Sequence, residues 1–230
     1  MNAGLYVVGT PIGNLEDLSA RALETLRGVN AILTEDTRHT RILLDRFGIQ
    51  KPVFSCHKFN EASRADGVVE RIRRGEALAL VTDSGMPGVS DPGSRMVTAC
   101  RRAGLKVTAV PGASAVTTAV ALSGFPGQGF LFAGFVPRKS GALTRLLEQV
   151  KALPVPVVLF ESPYRLLKLL DALQGVFGLR EVFLGRELTK KFEETLWGSA
   201  ETIRKAFEGR SIKGEIVVVI APCVDRHTDS

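Results

Sequence analysis

The sequence predicts an α/β protein of two domains, residues 1–112 and 113–230. Three observations carry that expectation. Short β-branched runs alternate with segments of helical period, the alternation restarts after a Pro-Gly turn at Gly112, and 230 residues suffice for one large domain or two small ones.

In the first half the strand-like runs are Leu5 to Gly9, Ala31 to Thr34, Ala77 to Thr82 and Lys106 to Val110. Between them Leu18, Ala22, Leu23 and Leu26 recur at three-to-four spacing. Val68 and Ile72 repeat that spacing, as does the run from Arg95 to Ala103, so each reads as a helix with one apolar face. Strand–helix alternation of this kind builds parallel sheets with helical crossovers. In the second half a helix is expected near Ala113 to Leu122. Strands follow at Phe130 to Gly134, Val155 to Phe160, Glu181 to Gly185 and Glu215 to Ala221, and helices at Leu143 to Leu153, Tyr164 to Leu173 and Ala200 to Glu208. The punctuation at Val110-Pro-Gly-Ala-Ser and Gly124-Phe-Pro-Gly-Gln-Gly marks the boundary region.

Composition narrows the function classes. Hydrophobic residues make up 45% and charged residues 23%, which places the chain among ordinary folded proteins. The net charge is +6, and cutting at Gly112 leaves 15 basic and 12 acidic residues on each side, so any basic patch must be assembled by folding. Three widely spaced cysteines, Cys56, Cys100 and Cys223, fit neither a disulfide framework nor a paired-thiol metal site, and no metal is expected. A basic leader with a long apolar stretch is missing at the N-terminus, and no run approaches the roughly 20 apolar residues of a membrane helix. A cytoplasmic chain with no membrane partner is expected.

The polar residues with chemical potential follow strand ends. Gly9-Thr-Pro-Ile-Gly-Asn-Leu is a glycine-containing turn at the carboxyl edge of a strand, where open α/β sheets bind ligands; it reads as a ligand turn or an ordinary tight turn. It lacks the third glycine of a dinucleotide fingerprint, which disfavours a nicotinamide oxidoreductase, and no Gly-Lys-Ser/Thr triplet marks a P-loop. The stretch from Val81 to Gly93 is long for a mere connection. Within it Asp83 could accept hydrogen bonds from a ligand, whereas Asp91 before Pro92 reads as the N-cap of the next helix. Pro111-Gly-Ala-Ser-Ala opens a helix with small residues, and Ser114 either binds there or only caps. Polar clusters begin at Thr34, Cys56, Phe160 and Gly185 and supply carboxylates, imidazole and cations along one edge; each alone is equally compatible with a solvated surface.

Taken together, Gly9-Thr-Pro-Ile-Gly-Asn-Leu, Glu35-Asp-Thr-Arg-His-Thr, Asp83-Ser-Gly-Met-Pro and Arg186-Glu-Leu-Thr-Lys resemble the ribosomal RNA small-subunit methyltransferase I family of the tetrapyrrole methylase superfamily. The resemblance runs from about Leu5 to Ala221. It implies a homodimer of two-domain α/β subunits of the tetrapyrrole methylase type, with S-adenosylmethionine in the interdomain cleft. It further implies methylation of the 2′-hydroxyl of a cytidine in the decoding region of 16S rRNA, with the RNA or the small ribosomal subunit as partner. The cofactor role carries over to Pro11, to Asp83 and Met86, to Ser114 and Ala115, and to Ser162 and Gly214. The chain departs from the family at Tyr164, where many members have His.

Given that chemistry, Glu35, Asp36, His57 and Glu61 are the candidate proton acceptors. Arg38, Arg165, Arg186 and Lys190 are the candidates for steering phosphates, with Lys139 in the basic Pro137-Arg-Lys stretch as a further RNA contact. The competing expectations are another methylase of the superfamily with a tetrapyrrole or protein substrate, and a noncatalytic RNA-binding factor.

Overall fold

A computed structural model describes residues 1–223, and the chain forms two compact units, Met1–Ser114 and Ala115–Ser230. The first unit holds a five-stranded sheet of β1 (Gly4–Val8), β2 (Ala31–Thr34), β3 (Val53–Ser55), β4 (Ala77–Leu80) and β5 (Val107–Val110), in the order β3-β2-β4-β1-β5. Every pairing in it is parallel. Parallel strands need helical crossovers, and α1 (Ala20–Gly28), α2 (Thr37–Arg46), α3 (Glu61–Arg73) and α4 (Ser94–Arg102) provide them. Because successive strand residues point to opposite faces, Tyr6, Val8, Ile32 and Ala79 pack with Ala22 and Leu26 of α1 and Leu44 of α2. Leu5, Leu33, Leu78 and Leu80 face Val68 and Ile72 of α3 and Met96 and Cys100 of α4.

The helix starts explain the local sequence. Ser19 accepts the Ala22 N–H at 3.1 Å to begin α1, and Asp36 accepts the Arg38 N–H at 2.8 Å to begin α2. Helix α2 opens inside the polar cluster that begins at Thr34, where Thr-Arg-His-Thr shows no apolar periodicity. Helix α4 begins differently from expectation. Asp91 is not its cap: Gly93 stands before Ser94, and Asp91 instead accepts the Thr82 hydroxyl at 2.8 Å. The first-turn amides of α4 are met from elsewhere, because Glu61 of α3, only 4% exposed, accepts the N–H groups of Gly93 and Met96, each at 3.0 Å.

The second unit is mixed rather than parallel. Its strands β6 (Leu131–Phe135), β7 (Val157–Glu161), β8 (Glu181–Arg186), β9 (Glu194–Ser199) and β10 (Ile216–Ile220) lie in the order β6-β7-β10-β8-β9. The last strand enters the middle, antiparallel to β7 and to β8, and only β6 with β7 is parallel. Helix α5 (Ala115–Ser123) covers one face through Val116 and Ala119. Helices α6 (Ser140–Val150), α7 (Leu166–Phe177) and α8 (Ala200–Ala206) cover the other, around Leu147, Leu169, Leu173 and Ile203. Ser199 caps α8 at Thr202, and Gly178, with φ 59°, ends α7 in a conformation that favours glycine. Among the described residues no helix is long and apolar enough to cross a membrane.

Removing the Glu61 carboxylate strands two buried amides at the start of α4. Glu61→Ala should therefore lower the unfolding free energy by about 3 kcal/mol in urea titration, whereas Glu61→Gln, which keeps an acceptor oxygen, should lose clearly less.

Candidate active site

Strands β1 and β4 are neighbours, yet α1 and α4, which follow them, pack on opposite faces of the sheet. A pair with that arrangement leaves a crevice beyond its carboxyl ends, the usual ligand position in open α/β sheets. The segments leaving β1, β4 and β5 are bound together there. Thr10 and Gly85 exchange backbone hydrogen bonds of 2.9 and 3.2 Å, and the Thr10 hydroxyl donates to the Thr82 carbonyl at 3.1 Å. Gly9 and Gly112 lie so close that a Cβ on Gly9 would stand 2.6 Å from both the Gly112 nitrogen and Met86 Sδ. One on Gly112 would stand 2.8 Å from Gly9 Cα. This close approach, which only glycine permits, was not anticipated; its signal was a glycine just past each of two strand ends.

The expected cofactor residues of the first unit gather on this edge. Pro11 is buried directly after Thr10, Met86 packs over Gly9, and Ser114 is two residues beyond Gly112. Asp83 follows β4, and its Oδ1 accepts the Asp36 N–H at 3.3 Å. Burial raises the Asp83 pKa above the ordinary carboxylate value against the opposing effect of that bond. Glu35 is raised as well, first by burial and then by the Asp91 and Asp83 carboxylates. Asp36 behaves oppositely: hydrogen bonds from Arg38, including Nη2 at 2.7 Å, hold it well below the usual range. Of the four expected proton acceptors, Glu35 is thus held toward its protonated form by burial and like charge, while Asp36 is occupied as cap and ion-pair partner. His57 Nδ1 accepts the Phe59 N–H at 3.3 Å, which leaves Nε2 as its open nitrogen. Glu61 is withdrawn from solvent by its amide bonds and serves the start of α4 rather than a proton transfer.

The second-unit candidates are more committed than their sequence positions suggested. Arg165 pairs with the buried Glu161 at 2.5 Å and donates to the Val136 carbonyl at 3.3 Å, so its guanidinium ties strand ends together instead of standing free for phosphate. Ser162 follows β7, its N–H donating to Glu161 at 2.6 Å. Arg186 donates to Glu194 at 2.8 Å and to the carbonyls of Lys213 and Phe192, and Lys190 pairs with Glu187 and Glu215. Arg38 is largely exposed beyond its Asp36 contact, and Lys139 is exposed just before α6. Gly214, with φ 94°, lies against the Glu187 side chain, where any Cβ would overlap the carboxyl group. Ala115 opens α5. Among the described residues no group of three His, Cys, Asp or Glu is arranged to hold a metal ion.

Comparison with known proteins places this geometry. A family profile described as Tetrapyrrole (Corrin/Porphyrin) Methylases matches residues 4–204. The Thermotoga maritima protein named ribosomal RNA small subunit methyltransferase I is 46% identical over 217 residues, covering 94% of this chain and 97% of that protein. The chain belongs to the ribosomal RNA small subunit methyltransferase I family. Relatives of the same name from Mycoplasmopsis pulmonis and Mesorhizobium japonicum are 44% and 42% identical, over 94% and 96% of this chain and 97% and 76% of theirs. The methyltransferase CobJ shares the fold, with a TM-score of 0.71 at 18% identity over 99% of this chain and 97% of its own. Uroporphyrin-III C-methyltransferase from Thermus thermophilus, solved with S-adenyl homocysteine, also shares it, with a TM-score of 0.65 at 16% identity over 94% and 96% of the two chains. In this methyltransferase family member the crevice is bordered by Gly9, Gly112 and the Asp83 carboxylate.

Two outcomes are expected. Gly9→Ala and Gly112→Ala each force the crossing segments apart and should cost about 1–3 kcal/mol of stability, with loss of S-adenosyl homocysteine binding in calorimetry. The folded chain holds the Glu35 proton more tightly than the unfolded chain, so ionised Glu35 destabilises above its raised pKa and that cost is relieved as pH falls through it. Glu35→Gln should therefore be more stable than the parent at neutral pH in urea unfolding, with the advantage shrinking as pH drops. An advantage unchanged well below the ordinary glutamate value would contradict the assignment.

Proposed function

We propose that the protein transfers a methyl group from S-adenosylmethionine to the 2′-hydroxyl of a cytidine in the decoding region of 16S rRNA. The observation that carries this reading is the 46% identity, over 97% of its length, to the Thermotoga maritima protein named ribosomal RNA small subunit methyltransferase I. Supporting it is the crevice beyond β1 and β4, with a raised carboxylate beside the ligand turns.

The cofactor supplies an electrophilic methyl group on a sulfonium. In the reaction the ribose oxygen forms a bond to that carbon, the carbon–sulfur bond breaks with its electron pair going to sulfur, and the hydroxyl proton leaves. Such a displacement depends mainly on alignment, so the chain's chief contribution is to hold both reactants still. Pro11, Met86, Ser114 and Ala115 border the cofactor, and Asp83 accepts from its hydroxyl or amino groups. Ser162 and Gly214 of the second unit keep the cofactor role that the family resemblance gives them. Glu35 is the acceptor of the ribose proton, since burial and the neighbouring Asp91 and Asp83 carboxylates make it a better base than an ordinary carboxylate. Lys139 and Arg38 meet RNA phosphates, and binding falls as salt rises. The working form is a cytoplasmic homodimer acting on the rRNA or on the small ribosomal subunit.

Incubation with labelled S-adenosylmethionine and small subunits lacking the modification, followed by nucleoside analysis, should place label in 2′-O-methylcytidine. Glu35→Gln should lower kcat by about 10²–10⁴-fold with little change in cofactor affinity. Cofactor binding with no label in any subunit RNA would redirect the search to a tetrapyrrole or protein acceptor, and no cofactor binding would leave a noncatalytic RNA-binding factor.

A further inference from the structure

The second unit contains a recess of about 290 Å³ whose lining includes Arg186, Phe192, Phe207, Arg210, Lys213 and the cofactor candidate Gly214. It lies between the turn joining β8 to β9 and the segment entering β10. Its floor residue Phe207 belongs to the packed layer of α6, α7 and α8, whereas Leu188 and Val116 belong to the layer under α5.

Its construction is rigid and its mouth is unusual. Arg186 is locked by three partners: Glu194 and the backbone carbonyls of Lys213 and Phe192, which fixes the two walls at a constant separation. Arg210 joins the same Glu194 carboxylate through two bonds of 2.9 and 3.0 Å and stacks over Phe207 at 4.9 Å. The β8–β9 turn carries two non-glycine residues in the left-handed region, Glu187 at φ 53° and Thr189 at φ 67°. Strain of that sort persists only where surrounding contacts hold it. At the mouth Phe192 leaves 67% of its surface exposed, with the Lys191 ammonium over one face at 5.6 Å from the ring centre. Beside it the ammonium of Lys213 has no ion-pair partner among the described residues.

We propose that this recess receives one unstacked nucleobase of the RNA substrate, outside the methylated nucleotide, with the base on the Phe192 ring and its phosphate at Lys213. The inference rests on the rRNA reading above. The ligand class follows from the chemistry on hand: a flat apolar face, cations on the rim, and a volume suited to a single planar group rather than a helix. Arg186, expected from sequence to steer phosphate, is here the brace that holds the walls.

The test is steady-state methylation of small subunits with Phe192→Ala and Phe192→Tyr. Loss of the stacking face should raise KM for the subunit about tenfold rather than lower kcat, and Phe192→Tyr should restore the parent value. The dependence of KM on salt should keep its slope, because no phosphate contact is removed. S-adenosyl homocysteine affinity, measured by calorimetry, should stay with the parent and so report an intact fold. A Phe192→Ala enzyme with parental KM on subunits that the parent methylates would overturn the subsite while leaving the rRNA reading in place. A parent that labels no subunit RNA would remove that reading and the subsite with it.

Discussion

Gly9 and Gly112 pass each other with room for hydrogen and nothing larger, and the arrangement of the first unit's functional edge follows from that contact. The two glycines bring the segments leaving β1 and β5 into register beside each other. The Thr10–Gly85 bridge then adds the segment leaving β4. Three chain segments from three adjacent parallel strands are so fixed around one opening. The energetic character of the site comes from what lies next to this opening. Glu35 and Asp83 sit partly buried and near each other, so both resist ionisation, while Asp36 is neutralised locally by Arg38.

The two units solve the same burial problem in different ways. In the first, every strand is parallel and both faces carry helices, so the central strands are apolar throughout. In the second, β10 returns antiparallel into the middle and three helices crowd one face. The second arrangement leaves strand ends and a hairpin turn where arginines are recruited into carboxylate pairs. Arg165 with Glu161 and Arg186 with Glu194 hold those ends in position, which removes them from the pool of cations free to meet RNA.

How far the sequence could be read depended on what each segment buries. The central strands β1, β2, β4, β7 and β10 stood out as unbroken apolar runs, within two residues of their observed limits. Strand β3, three residues long and half exposed, and β9, whose Glu-Thr-Leu-Trp-Gly-Ser has only the adjacent pair Leu196 and Trp197 as apolar side chains, lie at sheet edges and carry little such signal. Strand direction is not encoded in periodicity, and so the mixed pairing of the second sheet came only with the structure. At the site, the polar clusters after strand ends were visible, but their division of labour was not. Glu61 and Glu35 are both glutamates near a strand's carboxyl end, and only the three-dimensional arrangement gives one to the α4 amides and leaves the other to neighbouring carboxylates. Likewise nothing in the spacing of Arg186 revealed that three acceptors already occupy it.

The glycine-walled crevice of the first unit is the proposed seat of the methyl donor. Hydrogen exchange of the whole chain with and without S-adenosyl homocysteine addresses it directly, because ligand contact slows exchange of the amides that it covers. Slowed exchange in segments 9–14, 82–88 and 112–115 is the predicted result. Binding that leaves those three segments unprotected would contradict the account.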